Sequence, residues 1–315
     1  MENVGIVVIG QNEGSCLEAC LEAIVRSNCP IVYSDSASKD NSIEIAKKFS
    51  IEIVQLNTSQ LSAALGRNSG AKHLLNLFPN IQYIQFIDGD TVLDKLWIPQ
   101  AVKVFCEQLD VALISGNLNE KISTKSLYKE MSALEWERTP GEILCSGGNC
   151  MIRAEVFTEI GGFNPKIIAG EEPELCYRLR KQGWKIWHIN TLMGTHDSKV
   201  LTFPQFFKRS MRTGYAYQQI SCLYSKTDEK LFFKENLSNW FYGGIIPLLT
   251  LLLIPIFSFW SLGILLIYPL LILRIFWKMK NHWQPHLAFF YALACVAAKF
   301  PGVLGACRYL GLKLK

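Results

Sequence analysis

The sequence has no CxxC pair, no internal repeat and no low-complexity linker, and between residues 236 and 273 it has no Asp, Glu, Lys or Arg. Without paired motifs, its ten cysteines do not suggest a disulfide framework. Cys16, Cys20, Cys29, Cys106, Cys145, Cys150 and Cys176 lie in or beside apolar segments and read as reduced thiols. The first ten residues lack the basic start and long apolar stretch of a secretory signal, since Glu2 is acidic and the following run is only strand length. The chemistry is therefore expected on the cytoplasmic side. A continuous basic stripe is also missing: the cations flank apolar runs, which argues against a nucleic-acid partner.

What remains is a chain of 315 residues in which half the residues are hydrophobic and only 19% are charged. That length supports one large or two modest domains, and a mean hydropathy of +0.17 exceeds the usual need of a wholly soluble fold. The net charge of +5 hides an asymmetry. Residues 1–198 carry 18 basic and 24 acidic side chains, whereas residues 199–315 carry 14 and 3. A basic, apolar final third suits an anionic membrane surface or a phosphate-rich ligand. The charge-free run exceeds the roughly 20 residues of one membrane-spanning helix, but Pro247, Pro255 and Pro269 divide it. It reads as one kinked span or as a hairpin dipping into the bilayer; buried helices of a soluble subdomain are the alternative. A single crossing would put Arg274, Lys278 and Lys280 outside, against the positive-inside tendency, so a re-entrant or hairpin anchor is expected. A second apolar run, residues 286–307, is interrupted by Lys299 and Pro301.

Periodicity divides the first two thirds into alternating strands and helices. Strands are expected at residues 4–9, 31–33, 51–56, 81–87, 111–115, 147–153 and 184–189; helices at 14–27, 42–49, 61–77, 97–108, 126–137 and 174–182. Compact Ile- and Val-rich strands between amphipathic helices imply an α/β fold with a mainly parallel sheet. In such folds the ligand binds beyond the carboxyl ends of the strands.

Residues 84–93, IQFIDGDTVL, end an apolar strand in Asp88, Gly89 and Asp90. Two carboxylates one residue apart can reach a single divalent cation, and Gly89 lets a phosphate approach; an Asp-capped turn is the alternative. With this motif stand YSDSASKDNS at 33–42, ALGRNSGA at 64–71, GGNCMIRAEVFTEIGGF at 147–163, GEEPELCYRLRKQGWKIWHI at 170–189 and GTHD at 194–197.

Over residues 4–220 the set resembles a family 2 glycosyltransferase of the membrane-associated bacterial type. The resemblance implies a GT-A, Rossmann-like nucleotide-sugar-binding domain at residues 1–220 and a hydrophobic α-helical membrane-anchoring region at 221–315. It implies inverting transfer of a sugar from a nucleoside diphosphate sugar, first of all a UDP-sugar, with Mn²⁺ or Mg²⁺. The acceptor would be a lipid, a lipid-linked sugar or a polysaccharide, and the place the cytoplasmic face of the inner membrane. Asn12 and Glu13 match the family's first turn, Asp35 and Asp40 its DSGSTDGS loop, and Arg67 its ARNxG segment, so Asn12, Glu13, Asp35, Arg67 and Asp88 are the expected donor contacts. Ala37 stands where that loop has glycine. Asp90 and His196 are the expected metal ligands. Gly147, Gly148, Asn149 and Glu171 belong to the acceptor side, and Glu172 takes the place of the general base, just ahead of a helix, with Glu174 as a further acid. Lys208, Arg209 and Arg212 would clamp the diphosphate or face lipid headgroups. Turn and cap chemistry for Asp35 and Asp40, an exposed helix arginine at position 67, a glycine-rich turn at 147–148 and a solvated helix start at 171–174 remain the bland alternatives. A nucleotidyltransferase and a non-catalytic membrane scaffold are the rival functions.

Overall fold

The computed structural model describes residues 3–58, 61–121, 126–135, 138–197 and 202–313. The chain forms two compact units, Met1–Ser123 with Ser132–Ser198, and Thr124–Met131 with Lys199–Lys315.

The first unit is built on nine strands: β1 (Val4–Gly10), β2 (Ile31–Asp35), β3 (Glu52–Gln55), β4 (Tyr83–Asp88), β5 (Thr91–Leu93), β6 (Val111–Glu120), β7 (Gly141–Glu142), β8 (Cys150–Arg153) and β9 (Lys185–His196). They lie in the order β3-β2-β1-β4-β8-β6-β9-β5, with β7 also paired to β9. The helices are α1 (Ser15–Ile24), α2 (Ser42–Lys48), α3 (Ala63–Leu77), α4 (Trp97–Glu107), α6 (Ala154–Glu159) and α7 (Glu171–Lys181), while α5 (Leu127–Glu135) runs across the division between the units. β1 to β4 run parallel, as the alternating pattern requires, and so do β6 and β9. β8 lies antiparallel between β4 and β6, and β5 and β7 run antiparallel to β9. The sheet is thus mixed; its parallel half is the one carried by regular strand-helix alternation.

β1 shows why a strand covered on both faces is mostly apolar. Val4, Ile6 and Val8 pack with α1, α2 and α4 on one face, while Val7 and Ile9 pack with α3, α6 and α7 on the other. Successive side chains point to opposite faces, so a strand covered on both sides has no polar position to spare. Each fully buried aliphatic contributes about 1.5–3 kcal/mol. All ten cysteines are unbridged, and Cys20, Cys29, Cys150 and Cys176 are buried in this unit.

The second unit contains α8 (Phe203–Leu223), α9 (Phe233–Ser238), a π-helical stretch (Asn239–Ile245), α10 (Ile246–Phe257), a 3₁₀ stretch (Ser258–Leu266), α11 (Ile267–Met279), α12 (Pro285–Ala297) and α13 (Lys299–Lys313). It begins near residue 199, ahead of the hydropathy change at 221, because α8 packs closely on α13. A Cβ on Gly214 would collide with the Gly302 backbone, and one on Gly305 with the Met211 carbonyl. The charge-free run is not one long helix. Ser258 takes a left-handed φ of 53°, and the Tyr268 hydroxyl donates to the Tyr242 carbonyl at 2.6 Å.

Candidate functional site

The carboxyl end of β4 delivers Asp88, Gly89 and Asp90, and the Gly89 amide donates to the Ile9 carbonyl at 2.8 Å, which ties the turn to the end of β1. β5 then reverses the chain. Its pairing with β9 sets Thr91 opposite His196, and the β6–β9 pairing sets Glu120 opposite the same histidine. His196 is the last residue of a strand that runs seven residues beyond its expected end at 189. Its Nε2 lies 3.4 Å from Asp90 Oδ1 and its Nδ1 3.2 Å from Glu120 Oε2. Burial alone would lower its pKa. Hydrogen bonds and attraction from Asp90 and Glu120 outweigh that and push it up to about 10.

On the other side of Asp88 stands Arg67, from α3. It is 3% exposed; its Nη2 meets Asp88 Oδ1 and its Nη1 meets Glu171 Oε1, both at 2.8 Å. The guanidinium lies 5.4 Å from the Phe163 ring centre, over its face, and its Nε has no hydrogen-bond partner among the described residues. Arg67 is therefore not an exposed helix arginine. It is a buried bridge between two carboxylates, Asp88 and Glu171. Burial raises the Asp88 pKa, Arg67 pulls it back, and Asp90 raises it again.

Glu171 and Glu172 lie in the first turn of α7, so Glu172 sits inside the helix start rather than ahead of it. Pro173 is tolerated there because first-turn amides have no intrahelical acceptor, and the helix dipole favours carboxylates at this end. Gly170 supplies the left-handed φ of 80° that turns the chain into the helix. Burial and the neighbouring Glu171 push Glu172 up to about 7, against the pull of Arg67. Glu174 belongs elsewhere: it pairs with Arg178 at 2.9 Å, and Arg178 also holds the Ile160 and Gly162 carbonyls.

The 147–149 loop closes the cluster. Asn149 Oδ1 accepts from the Asp88 amide at 2.7 Å, and its Nδ2 reaches Asp88 Oδ2 at 3.5 Å. A Cβ on Gly148 would run into Arg67 Nη2, so this glycine is required by the guanidinium beside it. The Gly147 carbonyl accepts from the Ser146 hydroxyl.

The donor-side loop is held by its own acids. The Asp35 carboxylate, 1% exposed, accepts from the Tyr33 hydroxyl and from the Ser38 amide and hydroxyl. Asp40 accepts from the Ser42 amide and hydroxyl, and those bonds lower its pKa. Asn12 accepts from the Lys39 amide, and the Glu13 amide donates to Ser42. These four residues are thus brought together by turn and cap chemistry. Ala37 adopts φ 56°, the left-handed backbone that glycine would supply. Lys208, Arg209 and Arg212 are on α8 in the second unit, all exposed.

Sequence reasoning missed Glu120. Its strand was expected to end at Ser115, and the register shifts at Gly116/Asn117 and Asn117/Leu118 break the alternation that would have carried the prediction onward. Its signal is an acid at the end of a polar strand extension, visible only once the histidine facing it is known.

The family model for Glycosyl transferase family 2 matches residues 5–161. The chain is a family 2 glycosyltransferase. Among curated proteins the transferase is similar to Glycosyltransferase AglE of Haloferax volcanii, 21% identical over 259 residues, which are 78% of this chain and 81% of that one. It is also similar to the succinoglycan biosynthesis protein ExoA of Rhizobium meliloti, 23% identical over 222 residues, 64% of this chain and 66% of that one. Among solved structures, the mannosyltransferase PcManGT from Pyrobaculum calidifontis, in complex with GDP-Man and Mn²⁺, superposes with a TM-score of 0.63 at 13% identity over 97% of this chain and 87% of that one. This likeness places the transferase in the GT-A fold; the family match is what favours it over the nucleotidyltransferase and the scaffold.

Two outcomes test the geometry. Arg67→Ala leaves buried Glu171 and half-buried Asp88 without their shared cation and is expected to lower unfolding stability by about 3–5 kcal/mol, measured by denaturant titration. Ala37→Gly removes a left-handed alanine worth about 1–2 kcal/mol against about 0.5–1 kcal/mol of added chain entropy, so the same titration is expected to show unchanged or slightly higher stability.

Proposed function

We propose that the transferase moves a glycosyl group from a nucleoside diphosphate sugar to an acceptor hydroxyl, with inversion at the anomeric carbon and with Mn²⁺ or Mg²⁺. The observation that carries this reading is the Arg67 bridge, which joins Asp88, next to the Asp90–His196 pair, to Glu171, next to Glu172.

Asp90 Oδ1 and, once an ion displaces its proton, His196 Nε2 would form a two-donor set, and no group of three or more His, Cys, Asp or Glu suited to a metal occurs among the described residues. Such a pair fits an ion that takes its other ligands from substrate phosphate oxygens and water. Bound there, the cation neutralises the charge that develops on the departing diphosphate. Glu120 fixes the ring of His196 through Nδ1 and leaves Nε2 facing Asp90, the outer-shell carboxylate arrangement that orients a metal-binding imidazole. Mn²⁺ is named with PcManGT, which supports testing it first.

Glu172 takes the acceptor's proton as its oxygen bonds to the anomeric carbon; the bond to the diphosphate breaks and its electron pair leaves with that group. A base poised near neutrality is efficient because it is largely unprotonated yet still strong enough to accept a proton. Asp35, Asn12 and Glu13 shape the nucleotide side, and Gly147, Gly148, Asn149 and Glu171 the acceptor side. A uridine nucleotide is the first donor to test. Arg209 and Arg212, exposed on α8, provide charge for phosphate, whether in a donor or in a lipid headgroup. Catalysis belongs to residues 1–220 and attachment to residues 221–315. The acceptor is a lipid, lipid-linked sugar or growing polysaccharide; similarity to the succinoglycan biosynthesis protein ExoA supports a polysaccharide. Unbridged thiols support a reducing compartment and hence the cytoplasmic face of the membrane.

A screen of nucleotide sugars with Mn²⁺, with and without membrane lipid extract, reads diphosphate release. Glu172→Gln is expected to lower the rate about 10²–10⁴-fold while donor binding stays unchanged. For the native protein the rate rises with pH through about 7 and then levels, since protonation removes the base. Full activity in Glu172→Gln, or equal activity under metal chelation, refutes the assignment. Glu120→Gln is expected to weaken Mn²⁺ binding about 10–100-fold, read by the free-ion paramagnetic resonance signal in the presence of nucleoside diphosphate.

A further inference from the structure

We propose that residues 242–268 form a re-entrant hairpin that enters a lipid bilayer and leaves it on the same face, without crossing. It deepens the membrane part of the reading above. The decisive contact is the Tyr268 hydroxyl on the Tyr242 carbonyl, 2.6 Å across 26 residues. A straight helix would separate those residues by about 39 Å. The reversal is at Ser258, where φ 53° ends α10.

From Tyr242 to Ser258 the outgoing arm reaches at most about 24 Å at helical rise, short of the roughly 30 Å of a hydrocarbon core. The end that it returns to is a packed junction. Tyr268 stacks against Phe300 with ring centres 5.6 Å apart, and a Cβ on Gly243 would collide with the Lys299 carbonyl. Both arms are thus tied at their base to the start of α13, and the tip is free. Phe259 is 81% exposed and Trp260 90%, in a segment with no charged residue. A surface of this kind facing water would cost its full apolar transfer energy.

Charge supplies the orientation. Lys226, Lys230 and Lys234 precede the hairpin, interspersed with Asp228, Glu229 and Glu235, and Arg274, Lys278 and Lys280 follow it with no acid among them. In a single crossing one of these clusters would lie on the far side. In a hairpin both remain on one side, next to anionic headgroups, which satisfies the positive-inside tendency that a crossing violates.

The full-length protein is added to preformed vesicles of phosphatidylcholine and phosphatidylglycerol, floated on a density gradient, and labelled with a membrane-impermeant maleimide supplied outside or trapped inside. Peptide mapping reads the introduced cysteines apart from the native ones. Asn281→Cys is expected to react fully from outside without detergent, and Trp260→Cys from neither side until detergent is added. The double change Phe259→Asp with Trp260→Asp is expected to reduce the floated fraction about tenfold or more. Protection of Asn281→Cys from the outer reagent, reaction of Trp260→Cys with the trapped reagent, or failure of the native protein to float overturns the proposal. Diphosphate release from soluble donor, measured on the same preparations, stays intact if only the hairpin assignment fails and is lost if the catalytic reading fails.

Discussion

A single buried guanidinium organises the catalytic unit. Arg67 has no route to water, so its charge is tolerated only because Asp88 and Glu171 stand 2.8 Å from its two terminal nitrogens. Removing Arg67 leaves both acids without their shared cation in a poor dielectric, whereas removing either acid leaves Arg67 with the other. The same bridge spaces the acids around it. With Arg67 between them, one carboxylate faces Asp90 and the histidine, and the other sits beside Glu172. The two ends of the cluster come from β4 and α7, far apart in sequence, and one side chain from α3 fixes their separation.

Much of this was legible from local pattern. The parallel strand β1 is written as an uninterrupted apolar run and β2 to β4 as shorter apolar stretches, with Asp88 and Asp90 at the end of the last. The helix start at 171–174 is written in its acids. What local pattern could not give was pairing. β8 reads like any other strand, and nothing in CMIR says that it runs antiparallel between β4 and β6. The bulges after Gly116 hid Glu120, and the true length of β9 hid the fact that His196 lies in the sheet. The burial of Arg67 was not legible either, because a cation in a helix gives no sign of whether it is buried. The family resemblance supplied candidate residues; the structure supplied the hydrogen bonds that join Arg67, Asp88, Asn149 and Glu171 to one another.

The second unit follows different packing rules. Its close contacts are backbone against backbone, at Gly214 with Gly302 and at Gly243 with Lys299, where small residues let helices approach. Small residues permit close helix approach, which a few hydrogen bonds then reinforce. The polar contacts here fit that description: Trp240 Nε1 donates to Gln218 and Asn236 Nδ2 to Ser221. Many large apolar side chains, Phe259 and Trp260 foremost, are meanwhile exposed, unlike those around β1, while others such as Phe206 and Ile220 are buried.

The glycine-rich stretch before β8 has a mechanical consequence. Asn149 grips the Asp88 amide, and Gly148 leaves no room between the backbone and Arg67. The loop that looks most pliable in the sequence is therefore a rigid wall, because any swing outward would have to drag the β4 terminus and the guanidinium with it. Enlarging residue 148 would therefore displace Arg67 and, through it, both the Asp88 and the Glu171 carboxylates.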